Sequence, residues 1–183
     1  MLDFETIGEK AGEAPAFRVA FPRVVEEFGH LFKVVTADAG LACRENSTMV
    51  RGAKKHFLWS LKGNQEKLQE LAESRFAGRL GPVLAQTDDR RSGFWEKREL
   101  HAVTVTPEEK AAVDFPHAEQ LWRVRQQKGH GSRVVSEEMR YFVTSLPQGR
   151  YKPEKELALV RLHWGIENGH NWTMDMALLE DDL

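Results

Sequence analysis

Three groups of residues have the types and spacing that chemistry on a charged substrate requires. Asp38 closes the apolar, β-branched run Leu31–Asp38 (LFKVVTAD). Ligands collect beyond the carboxyl ends of buried strands in open parallel sheets, so Asp38 is a candidate metal ligand; the competing reading is a helix cap or loop Asp. Lys62, Gly63, Asn64 and Gln65 follow a second apolar run, His56–Leu61, and belong to the same rim. Lys62 brings a point charge for a phosphate and Gln65 brings both a donor and an acceptor, against the plainer reading of turn chemistry. His163, Glu167, His170 and Asn171 recur at three- and four-residue spacing, which places them on one helix face. That face reads as a metal site with Glu167 as ligand, or as a zinc site of His163, Glu167 and His170 that lacks the HExxH order of helical zinc hydrolases. It also reads as a polar flank beside a core Trp164. Spacing alone does not choose among the three.

Other conspicuous residues read as structure. Cys43, the single cysteine, suits a small buried filler better than a nucleophile. Gly129-His130-Gly131 suits a turn rather than a phosphate loop. The five tryptophans suit core or interface anchors, and Glu180-Asp181-Asp182 a solvated tail.

The elements that must position these residues follow from periodicity. Phe17, Phe21, Val24, Val25 and Phe28 predict a helix over Ala16–Gly29 that either starts at Pro22 or kinks there. Leu31–Asp38, a helix over Arg44–Arg51 and the strand His56–Leu61 make a strand–helix–strand unit, and hence a parallel pair. Asn64 would cap a helix carrying Leu68, Leu71, Ala72 and Phe76. Residues 86–93 (QTDDRRSG) read as a polar loop, and Glu99–Thr106, Leu121–Gln127 and Arg133–Leu146 as strands, the last two joined by a turn over 128–132. Residues 90–146 therefore predict antiparallel strands outside the sheet that holds Asp38. Pro153 opens a final helix.

Charge is uneven along the 183 residues despite a net −2. Residues 1–43 carry 4 basic and 7 acidic side chains, 44–161 carry 22 and 16, and 162–183 carry none and 5. A basic middle is compatible with nucleic acid on one face, although charge alone fits an ordinary solvated surface equally well. No apolar run approaches the ~20 residues of a membrane span. The acidic start lacks a signal-peptide pattern, and one cysteine excludes an intrachain disulfide framework. An intracellular protein, folded around a real core, is the expectation.

Read together, four blocks resemble the DDE transposases of bacterial insertion sequences, specifically the H-repeat-associated group. They are Val35-Thr36-Ala37-Asp38-Ala39-Gly40; Leu61-Lys62-Gly63-Asn64-Gln65; Arg140 to Pro147 (RYFVTSLP); and His163-Trp164-Gly165-Ile166-Glu167-Asn168, with Asn171-Trp172 and Asp175 after it. The blocks stand in family order and the likeness spans positions 35 to 182. It implies an α/β fold: an RNase H-like core, incomplete at its N-terminus, with a β-rich insertion before the last catalytic helix. The corresponding segments are 1–89 (partial core), 90–150 (insertion) and 151–183 (catalytic helix).

The resemblance also implies a chemistry. Three acids would hold two divalent ions, Mg²⁺ or Mn²⁺, for phosphoryl transfer on DNA, with Asp38 as the second acid and Glu167 as the third. His163 stands where the family's related signature has Arg. The family's first acid lies in an Asp-Gly-Lys block that residues 1–37 do not contain. The resemblance therefore suggests a truncated copy, poorly soluble and inactive alone, with a non-catalytic DNA-binding remnant and a zinc hydrolase as alternatives. Lys62, Asn64, Gln65, His163, Asn171, Arg90, Arg91, Arg123 and Arg125 are the implied DNA contacts. Transposon ends and target DNA are the implied partners, with no membrane and a homodimer in the full-length family. The implied location is the cytoplasm, at the nucleoid when on DNA.

Overall fold

Successive residues of the central strands are buried on alternate sides, and that alternation builds two cores on one sheet. In the computed structural model, which describes residues 13–78, 80–167 and 176–177, the side chains of Asn64, 164–167 and 176–177 are outside the description. Strand β1 (Val34–Ala37) and strand β2 (His56–Leu61) pair in parallel, Val34 with His56 through Ala37 with Trp59. Helix α1 (Glu13–Phe28) precedes them and α2 (Arg44–Gly52) links them, as a parallel pair requires. Helix α3 (Glu66–Ala77) follows, burying Leu68, Ala72 and Phe76. Then come β3 (Ala85–Arg91), β4 (Phe94–Thr104), α4 (Pro107–Ala112), β5 (Gln120–His130), β6 (Arg133–Thr144), α5 (Pro153–Glu167) and β7 (Met176–Ala177).

The strand order is β3-β4-β5-β6-β2-β1-β7. Every neighbouring pair except β1–β2 is antiparallel. Val35, Ala37, Phe57, Trp59, Leu61, Leu121 and Val143 face a core shared with Phe17 and Phe21 of α1, Val50 of α2 and Phe76 of α3. Val34, Leu58, Leu100, Trp122, Val124 and Phe142 face the opposite side and pack on Leu157, Leu159 and Val160 of α5. Period-2 alternation therefore gives β1, β2 and the first half of β5 two buried faces.

The sheet curls around α5. Arg161 of α5 pairs with Asp89 of β3 at 3.2 Å, while His163, two residues on, meets the end of β1. Strands from both margins of the sheet thus reach the same helix.

Several sequence expectations change here. The helix α1 runs unbroken across Pro22; the sheet-facing Phe17 and Phe21 hold it despite the missing N–H. Residues 86–91 are strand, not loop. Asp89 is paired across the β3–β4 ladder by Arg98 at 3.0 Å, Asp88 and Arg90 pair along β3 itself, and the positive φ of Ser92 and Gly93 closes a two-residue hairpin turn. Charge along this margin also protects it from pairing with other chains. The N-cap of α3 is Gln65, not Asn64, after a 3₁₀ turn at Gly63–Gln65. The antiparallel strands within 90–146 do form. They lie in the same sheet as β1, because β6 adds directly to β2 through Leu58–Thr144 to Leu61–Tyr141. The side chains of Thr144 and Ser145 reinforce that seam, the Thr144 hydroxyl donating to the Phe57 carbonyl at 2.6 Å.

Candidate active site

Asp38 is the first residue beyond β1, extended at φ −66, ψ 166, and it starts the 3₁₀ turn Ala39–Leu41. Its carbonyl accepts from the Leu41 N–H at 3.0 Å. The turn is pinned from below. Asn46, fully buried on α2, donates its Nδ2 to the Leu41 carbonyl at 3.0 Å, and Arg18 of α1 donates to the Asn46 Oδ1 at 3.2 Å. The carboxylate therefore leaves a fixed backbone at the carboxyl end of a parallel strand, with 52% of its side chain exposed.

Helix α5 brings the second part of the site. Glu156, Val160, His163 and Glu167 follow one another at four, three and four residues, along one stripe. The Nε2 of His163 stands 3.3 Å from the Asp38 Oδ1, and the ring is 1% exposed. It meets Phe142 edge-on, with ring centroids 6.1 Å apart. Glu167 occupies the end of α5, one helical turn beyond His163 on the same stripe; its side chain lies outside the described residues. His170, Asn171 and Asp175 also lie outside them.

Beneath Asp38 the sheet is polar where apolar side chains would be expected. Thr36 is 1% exposed and Ser60 5%, and neither hydroxyl has a hydrogen-bond partner among the described residues. Both lie on the α5 face by strand alternation, and the register that pairs Ala37 with Trp59 brings Asp38 level with Ser60. Ser60 in turn pairs with Phe142, the ring against His163. Orphaned buried hydroxyls beside a half-exposed carboxylate mark a place that water or an ion can fill. The donor set is oxygen-rich and hard, suited to Mg²⁺ or Mn²⁺. Among the described residues no three His, Cys, Asp or Glu side chains form a metal cluster, so the fit rests on Asp38 and on the position of Glu167. Neither the hydroxyls nor Glu156 was singled out from sequence. The signals for them were two small polar residues inside apolar strands and an acid on the buried stripe of α5. Burial pushes the Glu156 carboxyl up to about 7.

The remaining sequence candidates are dispersed. Lys62 is exposed, follows β2 directly and shares the Asp38 rim, with Gln65 half-buried beside it. Arg90 and Arg91 end β3, with four strands between it and β1 in the sheet. They line a shallow hollow of about 330 Å³ with Phe94, Trp95 and Gly131, and Arg90 is held bidentately by Asp88 at 3.0 Å. Arg125 pairs with Glu137 at 3.0 Å, which holds its guanidinium firmly protonated. Arg123 is buried at 8% exposure on the α3 side, its guanidinium 5.9 Å from the Phe76 ring. That burial removes it from the surface DNA could reach.

Residues 6–182 match the family model of the transposase DDE domain. The chain belongs to that family. Curated relatives agree at low identity. YbfL of Escherichia coli K12 is 23% identical over 89% of this chain and 44% of its own length. YncI of Escherichia coli O157:H7, provisionally named a transposase, is 25% identical over 96% of this chain and 46% of its own length. YhhI of Escherichia coli K12, provisionally named an H repeat-associated transposase, is 22% identical over 89% and 44%. This DDE-family chain thus spans less than half the length of these relatives. No helix among its described residues is long and apolar enough to cross a membrane.

Proposed function

We propose that this chain carries part of the metal-dependent site that cuts and joins DNA in transposition, on an RNase H-like frame, with Asp38 and Glu167 as two of its carboxylates. One observation carries the reading. The 3.3 Å contact of His163 with Asp38 supports it, because in this DDE-family chain α5 ends at Glu167, one helical turn beyond His163.

Bound Mg²⁺ or Mn²⁺ would supply Lewis-acid stabilisation to the attacking and leaving oxygens of a phosphodiester. Asp38 and Glu167 would hold the ion through hard oxygens. The exposed ammonium of Lys62 would neutralise a phosphate on the same rim. The reaction served is attack by water at a transposon end, which breaks the P–O3′ bond. The freed 3′ hydroxyl then attacks a target phosphodiester, forming a new P–O3′ bond as the target strand's own 3′ oxygen leaves and takes up a proton. In this reading the DNA is transposon end and target, and the full-length protein works as a homodimer in the cytoplasm. The family match weighs against the zinc alternative, and His163, turned into the buried Asp38 contact, is taken from the ligand set that alternative needs.

Two carboxylates do not fix two ions for in-line displacement, and residues 1–37 lack the first-acid block. The chain alone is therefore expected to hold a divalent ion weakly and not to transfer strands. A Mn²⁺ titration tests the site: Asp38→Asn and Glu167→Gln should each weaken binding by about 10-fold or more. Unchanged binding in both would sink the metal reading. A strand-transfer assay on the unmodified chain, if positive and abolished by either substitution, would overturn the expected inactivity.

A further inference from the structure

We propose that His163, together with the Ser60 hydroxyl, is the positioning residue for Asp38: a buried polar floor that holds the Asp38 carboxylate in one rotamer above the end of β1. For its metal consequence the proposal rests on the reading of Asp38 as a ligand; for the rotamer it does not.

The geometry makes the case. Asp38 is half-exposed, and a half-exposed carboxylate at a strand end would ordinarily sample several rotamers. Here its Oδ1 lies 3.3 Å from the His163 Nε2. His163 cannot follow Asp38 if it swings away. Its ring is buried, set edge-on against Phe142, and carried by a helix anchored through Leu157, Leu159 and Val160 in the core. The contact is within ion-pair distance without hydrogen-bond geometry, and with the proton on Nε2 a small turn of the carboxylate closes it into a hydrogen bond donated by the ring.

Ser60 extends the floor. It lies level with Asp38 on the neighbouring strand and faces the same side. It is buried, and no described residue bonds its Oγ. Two strand positions earlier on the same face as Asp38, Thr36 is in the same condition. An apolar residue at either position would have cost less, because a buried hydroxyl without a partner forfeits its hydration. The hydroxyls are explained if they, or a water between them, meet the carboxylate from beneath. Outer-shell partners that orient a ligand in this way typically change metal affinity 10- to 100-fold when removed.

The test uses the whole chain and two readouts. The first is metal-free: three-bond couplings across the Asp38 χ1 torsion, measured by NMR. The native chain should show a single rotamer. His163→Phe keeps a ring of similar size against Phe142 but has no N–H, and should give averaged couplings. His163→Gln, whose amide reaches toward the Nε2 position, should restore the single rotamer. Ser60→Ala should give partial averaging and serves if His163→Phe fails to fold. The second readout is Mn²⁺ affinity, which should fall about 10-fold in His163→Phe and recover in His163→Gln. A single Asp38 rotamer retained in both His163→Phe and Ser60→Ala would overturn the proposal. So would averaged couplings in His163→Phe with unchanged Mn²⁺ affinity, provided Asp38→Asn weakens binding. If Asp38→Asn leaves Mn²⁺ binding unchanged, the metal reading of Asp38 falls, and the couplings alone decide for or against the positioning role.

Discussion

The Nε2 of His163 lies 3.3 Å from the Oδ1 of Asp38, joining the last long helix of the chain to the end of its first strand. The contact fixes more than two side chains. A helical residue rotates about 100° per position, so a one-residue slip of α5 would carry His163 off Asp38. The rotation of α5 is in turn set by Leu157, Leu159 and Val160 against the concave face of the sheet.

Glu156 on that stripe predicts a pH effect. Burial raises its carboxyl to about 7 in the folded chain, above an unfolded value near the usual 4.5. A raised acid favours the protonated fold. Its stabilising contribution is complete below about pH 4.5 and is lost as pH rises through 7. Glu156→Gln should remove this dependence. At pH 8 it should be the more stable chain by on the order of 2 kcal/mol, after allowance for solvent near the first turn of the helix. Urea unfolding of both chains at pH 5 and pH 8 checks it; equal pH dependence in the two would contradict the assignment to Glu156.

Lys62 and Arg123 should behave differently on DNA. Lys62 is exposed on the Asp38 rim, whereas Arg123 is buried beside Phe76. Lys62→Ala should weaken binding to duplex DNA and lower the salt slope by about 1. Arg123→Ala should leave the slope unchanged and lower stability through lost packing. Fluorescence anisotropy across a salt series distinguishes the two outcomes.

Ser47 holds the β1–α2 connection against β2. The Trp59 indole N–H donates to the Ser47 Oγ at 2.9 Å, and that hydroxyl donates to the Cys43 carbonyl at 2.8 Å. Ser47→Ala leaves the fully buried indole N–H without a partner and should cost about 1–3 kcal/mol. The urea midpoint should fall with an unchanged slope.

Gly129 is required by a close approach. A Cβ there would overlap the Trp95 ring and the Arg133 carbonyl. Gly129→Ala should therefore loosen the paired hairpin tips, red-shifting Trp95 emission, while the thermal midpoint of the main core changes little.

Much of this fold was legible in the sequence because its signals are local. The apolar runs of β1 and β2 with α2 between them, and the Pro153 start of α5, follow from period and punctuation. The strand at 85–91 was hidden because its residues are charged, and only the cross-strand partners on β4 make it a strand. The short helix α4 went unread although Thr106 and Glu109 form a complete capping box. The joining of β6 to β2 lies beyond local pattern, since either strand edge could have accepted a partner. The place of Asp38 at the end of a buried strand was readable from the apolar run that precedes it. The burial of Arg123 could not be read, because an arginine shows no burial in one dimension. Thr36 and Ser60 were passed over as ordinary strand residues, and their orphaned hydroxyls emerge only when α5 covers them.

The curl of the sheet around α5 also dictates an order of assembly. The seat for α5 is made from β1 through β6, and the seam between β2 and β6 closes a loop of some eighty residues. Contacts so distant along the chain form slowly. The seat of the helix is incomplete until that seam has closed, so the contact of His163 with Asp38 forms only after the sheet around it exists. During synthesis, a chain that has not yet extended past residue 167 still lacks the helix that fills the concave face of its sheet.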